Sequence, residues 1–166
     1  MHHKSEYFQY LQEAVAKYGG LFNAHLHLDR ASTLARRYLE HMSMDPIEAS
    51  SYPLRVKQNL TGDLHRGPAY QKDDLIRRIR EQLDLMTELR TRRTDSFIDI
   101  SSDNMGLTAL EVALALKQEK KGKIDFRVGA YPIFGFKDSE PQRWELFVEA
   151  ANKADYLGTL PERDDK

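Results

Sequence analysis

Leu21-Phe22-Asn23-Ala24-His25-Leu26-His27-Leu28-Asp29-Arg30 reads as a short apolar strand that ends in two histidines and an acid. Successive side chains of a strand point to opposite faces. That alternation puts His25, His27 and Asp29 on one face, and Ala24, Leu26 and Leu28 on the other. Two imidazoles one residue apart lie close enough to grip one metal ion, and neutral imidazole is a common ligand for zinc and similar ions. The apolar face suits packing beneath helices, so the strand is both a core element and a candidate ligand donor. A bare His-x-His pair also arises by chance. Its place at a strand end and the acid that follows favour the metal reading here. His2 and His3, beside Met1, read as a frayed terminus or a tag remnant and are set aside.

Composition narrows the chemistry. The 166 residues suffice for one domain with a core, and 40% hydrophobic with 31% charged residues fits a globular protein. A net charge of −1 offers no basic field for nucleic acid. There is no cysteine, which excludes disulfides, thiolate metal sites and a cysteine nucleophile; any metal must use histidine and carboxylates. No apolar run reaches the ~20 residues of a membrane span, and no signal-peptide pattern opens the chain. The expectation is therefore a cytoplasmic protein without membrane or nucleic-acid partners, in which the sequon Asn59-Leu60-Thr61 is coincidental.

Around the opening strand the chain alternates. Residues 1–20 hold an N-terminal helix with Phe8, Leu11, Val15 and Tyr18 at helical spacing, stopped by Gly19-Gly20. Residues 29–71 lose periodicity and read as a long loop or lid, with a short helix near 32–42 and a helix start at Asp45-Pro46. His65 inside this region reads as a solvated loop histidine. Asp73-Asp74 open an amphipathic helix whose stripe is Leu75, Ile76, Ile79, Leu83, Met86 and Leu89, with Arg77, Arg78, Arg80 and Arg90 facing out. A second strand (95–101) places Phe97, Asp99 and Ser101 on one face. A helix follows from Leu107, ending in a solvated lysine run at Lys117–Lys121 that suits the helix dipole. A third strand (124–131) leads into the apolar turn Pro132-Ile133-Phe134-Gly135-Phe136, whose Ile133 and Phe134 are candidate pocket-lining residues. A helix from Pro141 turns Trp144, Phe147 and Val148 inward, and a fourth strand covers 155–160. Such alternation predicts an α/β fold with a parallel sheet, and functional residues just past the strands' carboxyl ends.

Several of these segments also carry a family pattern. Asn23-Ala24-His25-Leu26-His27-Leu28-Asp29 resembles the first-strand motif of the amidohydrolase superfamily. Asp99-Ile100-Ser101 with Leu107-Thr108-Ala109-Leu110 and Leu116-Lys117-Gln118-Glu119, then Gly129-Ala130-Tyr131-Pro132, and Ala154-Asp155-Tyr156-Leu157-Gly158-Thr159-Leu160-Pro161, resemble later segments of its cytosine deaminase-like branch, in the same order. The resemblance implies parallel βα repeats forming the first half, about four strands, of a TIM-type (β/α)8 barrel, as one partial domain over 1–166. It implies a hydrolase acting on a C–N bond of a small amide or aminated heterocycle. It further implies a divalent metal (zinc, iron or manganese) with His25 and His27 as its first-strand ligands.

The departures are specific. The family draws further ligands and its catalytic acid/base from the fifth, sixth and eighth strands, whereas this chain has no histidine after His65. Phe97 stands where a second-strand histidine is usual, and Ile133 where the cytosine-binding branch has a glutamine. The expectation is an N-terminal fragment with an incomplete site. The alternative is a non-catalytic half-barrel that associates with itself or with a partner half. A flavodoxin-like binding domain ranks last, since there is no G-x-G-x-x-G or Walker loop.

Overall fold

The computed structural model describes residues 5–42, 45, 47–53, 56 and 59–165; His2, His3 and Pro46 lie outside them. Helix α1 (Glu6–Lys17) is capped by Ser5, whose Oγ accepts from the Phe8 N–H at 3.3 Å, and it carries Glu6 and Lys17 at the ends that favour them. Gly20, at φ +90°, follows; a Cβ there would stand 2.1 Å from Arg92 Cγ. Strand β1 (Leu21–Leu26) leaves this turn directly. The expected α1 stripe is only half covered. Phe8 and Val15 are partly buried, while Leu11 and Tyr18 are exposed.

The described residues between Leu28 and Gln71 hold more helix and turn than their weak periodicity predicts. They include a 3-10 turn at Leu28–Arg30, helix α2 (Arg36–Leu39), a turn at Glu48–Ser51, helix α3 (Asn59–Arg66) and a turn at Pro68–Tyr70. Helix α4 (Lys72–Glu88) then buries Leu75, Ile79 and Leu83 completely. Strand β2 (Thr91–Ile100), helix α5 (Thr108–Glu119), strand β3 (Asp125–Pro132), helix α6 (Gln142–Ala151) and strand β4 (Tyr156–Leu157) complete the alternation. In α6, Phe147 is buried as expected, but Trp144 and Val148 are exposed. Trp144 instead meets the Phe136 ring edge-on at 5.1 Å.

The four strands form one parallel sheet in the order β1-β2-β3-β4. Parallel pairing needs a crossover between strands, and a helix supplies each one. One face of the sheet, with Thr94, Ser96, Ile98, Phe126, Val128 and Ala130, is buried against the helices. The other face carries Phe97, Tyr131 and Tyr156, partly open, with their rings 5.1 to 5.5 Å apart where they meet. No helix among the described residues is long and apolar enough to cross a membrane.

Candidate active site

β1 ends at Leu26, one residue before His27, because the chain turns into Leu28–Arg30. The Leu28 N–H donates to Ser96 Oγ at 3.0 Å and Leu28 is buried. Strand alternation therefore stops before Asp29, and the expectation that Asp29 joins the histidines on one face is corrected. His25 and His27 do come together. Their ring centroids lie 5.4 Å apart, and Phe97 lies 5.4 and 6.0 Å from them. His27 also rests on Tyr131 at 5.4 Å. Burial, helped by the charge of Arg30 and by His25, lowers the His27 pKa to about 4 against the opposing pull of Asp99. The ring is neutral at pH 7, and its buried Nδ1 has no hydrogen-bond partner among the described residues. A neutral imidazole with an unused nitrogen has the chemistry of a metal ligand.

Behind the pair, at the carboxyl end of β2, lies a buried charged network. Asp99, fully buried, accepts from Arg30 Nε at 2.8 Å and pairs with Arg30 Nη2. The same carboxylate receives His65 Nε2 at 3.2 Å, and His65 Nδ1 meets Asp103 Oδ2 at 2.8 Å. Burial opposes a charge on His65, but its hydrogen bonds to Asp103 and Asp99 prevail and raise its pKa to about 9. His65 is thus an imidazolium, donating from both nitrogens to carboxylates. Burial likewise opposes a charge on Asp99, yet His65 and Arg30 hold its pKa low.

Asp29 sits beneath them. Its Oδ2 accepts from the Asp99 N–H at 3.0 Å and from the Tyr70 hydroxyl at 2.9 Å; that hydroxyl also lies 3.2 Å from Asp99. Burial and the neighbouring Asp99 raise the Asp29 pKa to about 6. His65 is therefore not a solvated loop residue. It is a buried helical residue bridging two acids, because Asp99 and Asp103 supply the charge its burial requires.

Arg78 is corrected in the same way. It is fully buried, not outward-facing. Its Nη1 donates to the carbonyls of Asp29 (2.9 Å) and Ala31 (2.6 Å), its Nη2 to that of Ala69, and its Nε to Asp74 at 2.8 Å. One guanidinium thereby fastens both turns that carry Asp29, Arg30 and Tyr70. Lys120, expected at a solvated helix end, is also buried, with its Nζ 2.6 Å from Asp84.

Ile133 is buried and gives its carbonyl to Arg163 Nη1 at 3.1 Å. The half-buried Phe134 ring lies 5.6 Å from His65, so it packs against α3 beside the network. Arg30, Tyr70 and Asp99 were not among the candidate residues. The legible signal for Asp99 was an acid inside the apolar run Phe97–Ile100, since a buried carboxylate needs partners. Catalytic zinc takes three protein ligands and water. Among the described residues no three of His, Cys, Asp and Glu come together as metal ligands. His25 and His27 fit two positions of such a set.

No family model and no curated protein matches the chain. Solved structures do. A 5-methylcytosine deaminase from Klebsiella pneumoniae liganded with phosphonocytosine superposes with a TM-score of 0.71 at 21% identity, over 89% of this chain and 33% of that one. The same deaminase liganded with 5-fluorocytosine gives 0.65 at 20% identity, over 89% and 32%. The chain thus spans about a third of the length of the structures it matches. What this likeness shows is the fold, parallel βα repeats as in part of a TIM-type barrel.

Proposed function

We infer that the chain belongs to a metal-dependent hydrolase that breaks a C–N bond in a small amide or aminated heterocycle. The observation that carries this reading is the His25–His27 pair, with neutral His27 and its unused nitrogen, at the carboxyl end of the first strand of a deaminase-like fold. His25 and His27 would hold a divalent cation there, and the chemistry it would supply is a lowered pKa of water. The chain's own residues do the rest of what is described here. Phe97 and Tyr131 wall the two imidazoles. Arg30 and His65 hold the Asp99 carboxylate charged and fixed beside them. Arg78 keeps the turn after His27 from moving.

The test is ammonia release from aminated pyrimidines, triazines and small amides by the chain loaded with zinc, iron(II) or manganese. The expected result is metal-dependent release that falls to background in His27→Ala. A chain that binds metal through these histidines yet releases no ammonia from any of the substrates overturns the reading.

A further inference from the structure

Three side chains at the carboxyl end of the sheet have hydrogen-bond donors left over. Arg30, in the turn after β1, gives Nε and Nη2 to Asp99 and leaves Nη1 without a partner among the described residues; its side chain is 26% exposed. Tyr131, in β3, rests against His27 on the open face of the sheet, and its hydroxyl makes no hydrogen bond among the described residues. Arg163 closes the short turn Pro161–Arg163 that follows β4. Its Nη1 donates to the Ile133 carbonyl at 3.1 Å, while its buried Nη2 has no partner among the described residues. The three belong to one place. Asp99 and Tyr131 are paired in the β2–β3 register, and Tyr131 lies within the field of both guanidiniums, as Arg163 lies within that of Arg30.

Arg163 is held there by more than its own bond. Lys137 Nζ donates to its carbonyl at 2.6 Å, the Phe136 N–H to Asp164 Oδ1 at 2.8 Å, and the Asp165 N–H to the Phe136 carbonyl at 3.0 Å. Gly135, at φ +66°, lets the turn after β3 press on it; a Cβ would stand 2.7 Å from the Arg163 carbonyl. Among the described residues no acid meets Nη2: the neighbouring Glu162 is exposed and forms no ion pair with it. Burial opposes the charge on Arg163 and lowers its pKa. A buried guanidinium edge with nothing to donate to costs free energy, and an anion supplied by a ligand removes that cost. Arg30, fixed by Asp99, needs no reordering to donate.

We propose that Arg30, Tyr131 and Arg163 bind an anionic oxygen group of the substrate, so that the C–N compound this site takes carries a carboxylate. The planar fork of a guanidinium matches the two oxygens of a carboxylate, and Tyr131 sets that group beside His27. A neutral amide or ring leaves the same donors unanswered. That the bound acid is a substrate rests on the hydrolase reading above; that an acid is bound here does not.

The test compares orotate with uracil, the same ring with and without a carboxylate. Each is titrated into the 166-residue chain in buffer stripped of metal, so that a carboxylate resting on a cation gives no signal. Orotate is expected to bind roughly tenfold tighter or more. The side-chain N–H resonances of Arg30 and Arg163 are expected to shift with orotate and to stay with uracil, which places the acid without any variant. Arg163→Gln is expected to bring orotate down to the level of uracil with the far-ultraviolet circular dichroism unchanged, and Arg163→Lys to keep part of the preference. Arg92→Gln, at the opposite end of β2, is expected to keep all of it. Equal binding of the two rings, a preference indifferent to Arg163→Gln, or one lost in Arg92→Gln overturns the proposal. Succinamate and succinamide, an amide ending in an acid or in a second amide, are then given to the zinc-loaded chain. Faster ammonia release from succinamate supports the substrate class, and release from succinamide alone overturns it. No release from either, with the orotate preference intact, removes the hydrolase reading and leaves the acid site standing.

Discussion

His65 shows how far a single side chain can depart from its usual protonation when two acids meet it. Its folded pKa of about 9 lies above the ordinary 6.5. The stability it contributes is therefore complete below about 6.5 and lost as pH rises through about 9. Urea unfolding should show a decline of about 3 kcal/mol across that window, and His65→Gln should flatten it. Asp29, raised to about 6 from 3.8, also favours the folded state at lower pH, but its window closes before that of His65 opens. Arg78 acts through geometry. Arg78→Met strips three carbonyls, two of them buried, of their donor, and a loss of about 3 to 5 kcal/mol is expected for breaking such a buried charge network. The exposed Arg80→Met should change stability by less than about 1 kcal/mol. A thermal melt separates the two. If both arginines cost the same, the clamp is not what holds the turns.

At the scale of elements, the four strands were legible as apolar runs between turn residues, and three of the long helices as stripes at helical spacing. The ends were less so. Alternation through His25 and His27 could not reveal that the chain turns after Leu26, since the cause is Ser96, 68 residues away from Leu28. The burial of Arg78 and His65 was hidden for the same reason. Helical spacing places a long charged residue on a helix but says nothing of a distant carbonyl or carboxylate that rewards burying it. β4 is two residues long where six were expected, because it has one neighbour and its register with β3 covers only Gly129 and Ala130. Gly129 of β3 carries a prediction of its own. Gly129→Ala should cost about 1 to 3 kcal/mol through overlap with the Tyr156 ring. Adding Tyr156→Ala should return most of the overlap energy as a coupling of 0.5 kcal/mol or more in a double-mutant cycle, a magnitude of order typical for touching side chains. Additive losses would show that the ring does not sit where it blocks a methyl group.

For the whole molecule, His25 and His27 lie together at the carboxyl end of the first strand of the sheet, where the metal-dependent reading puts a cation. Zinc should therefore stabilise the folded chain by mass action. At a hundredfold excess over its dissociation constant the gain is about 2.7 kcal/mol, read as a rise in melting temperature that a chelator reverses and that His25→Ala with His27→Ala abolishes. The β1–β2 pairing has another side, in time. Leu21 pairs with Thr91, seventy residues later, whereas Arg93 on β2 pairs with Asp125 after only thirty-two. A ribosome adding roughly 5 to 20 residues per second makes β1 wait about 4 to 14 seconds for its partner. The histidine-bearing strand is thus the first of the four strands made and the one that waits longest for its neighbour. Nascent chains stalled before Thr91 should be the ones that chaperones hold longest.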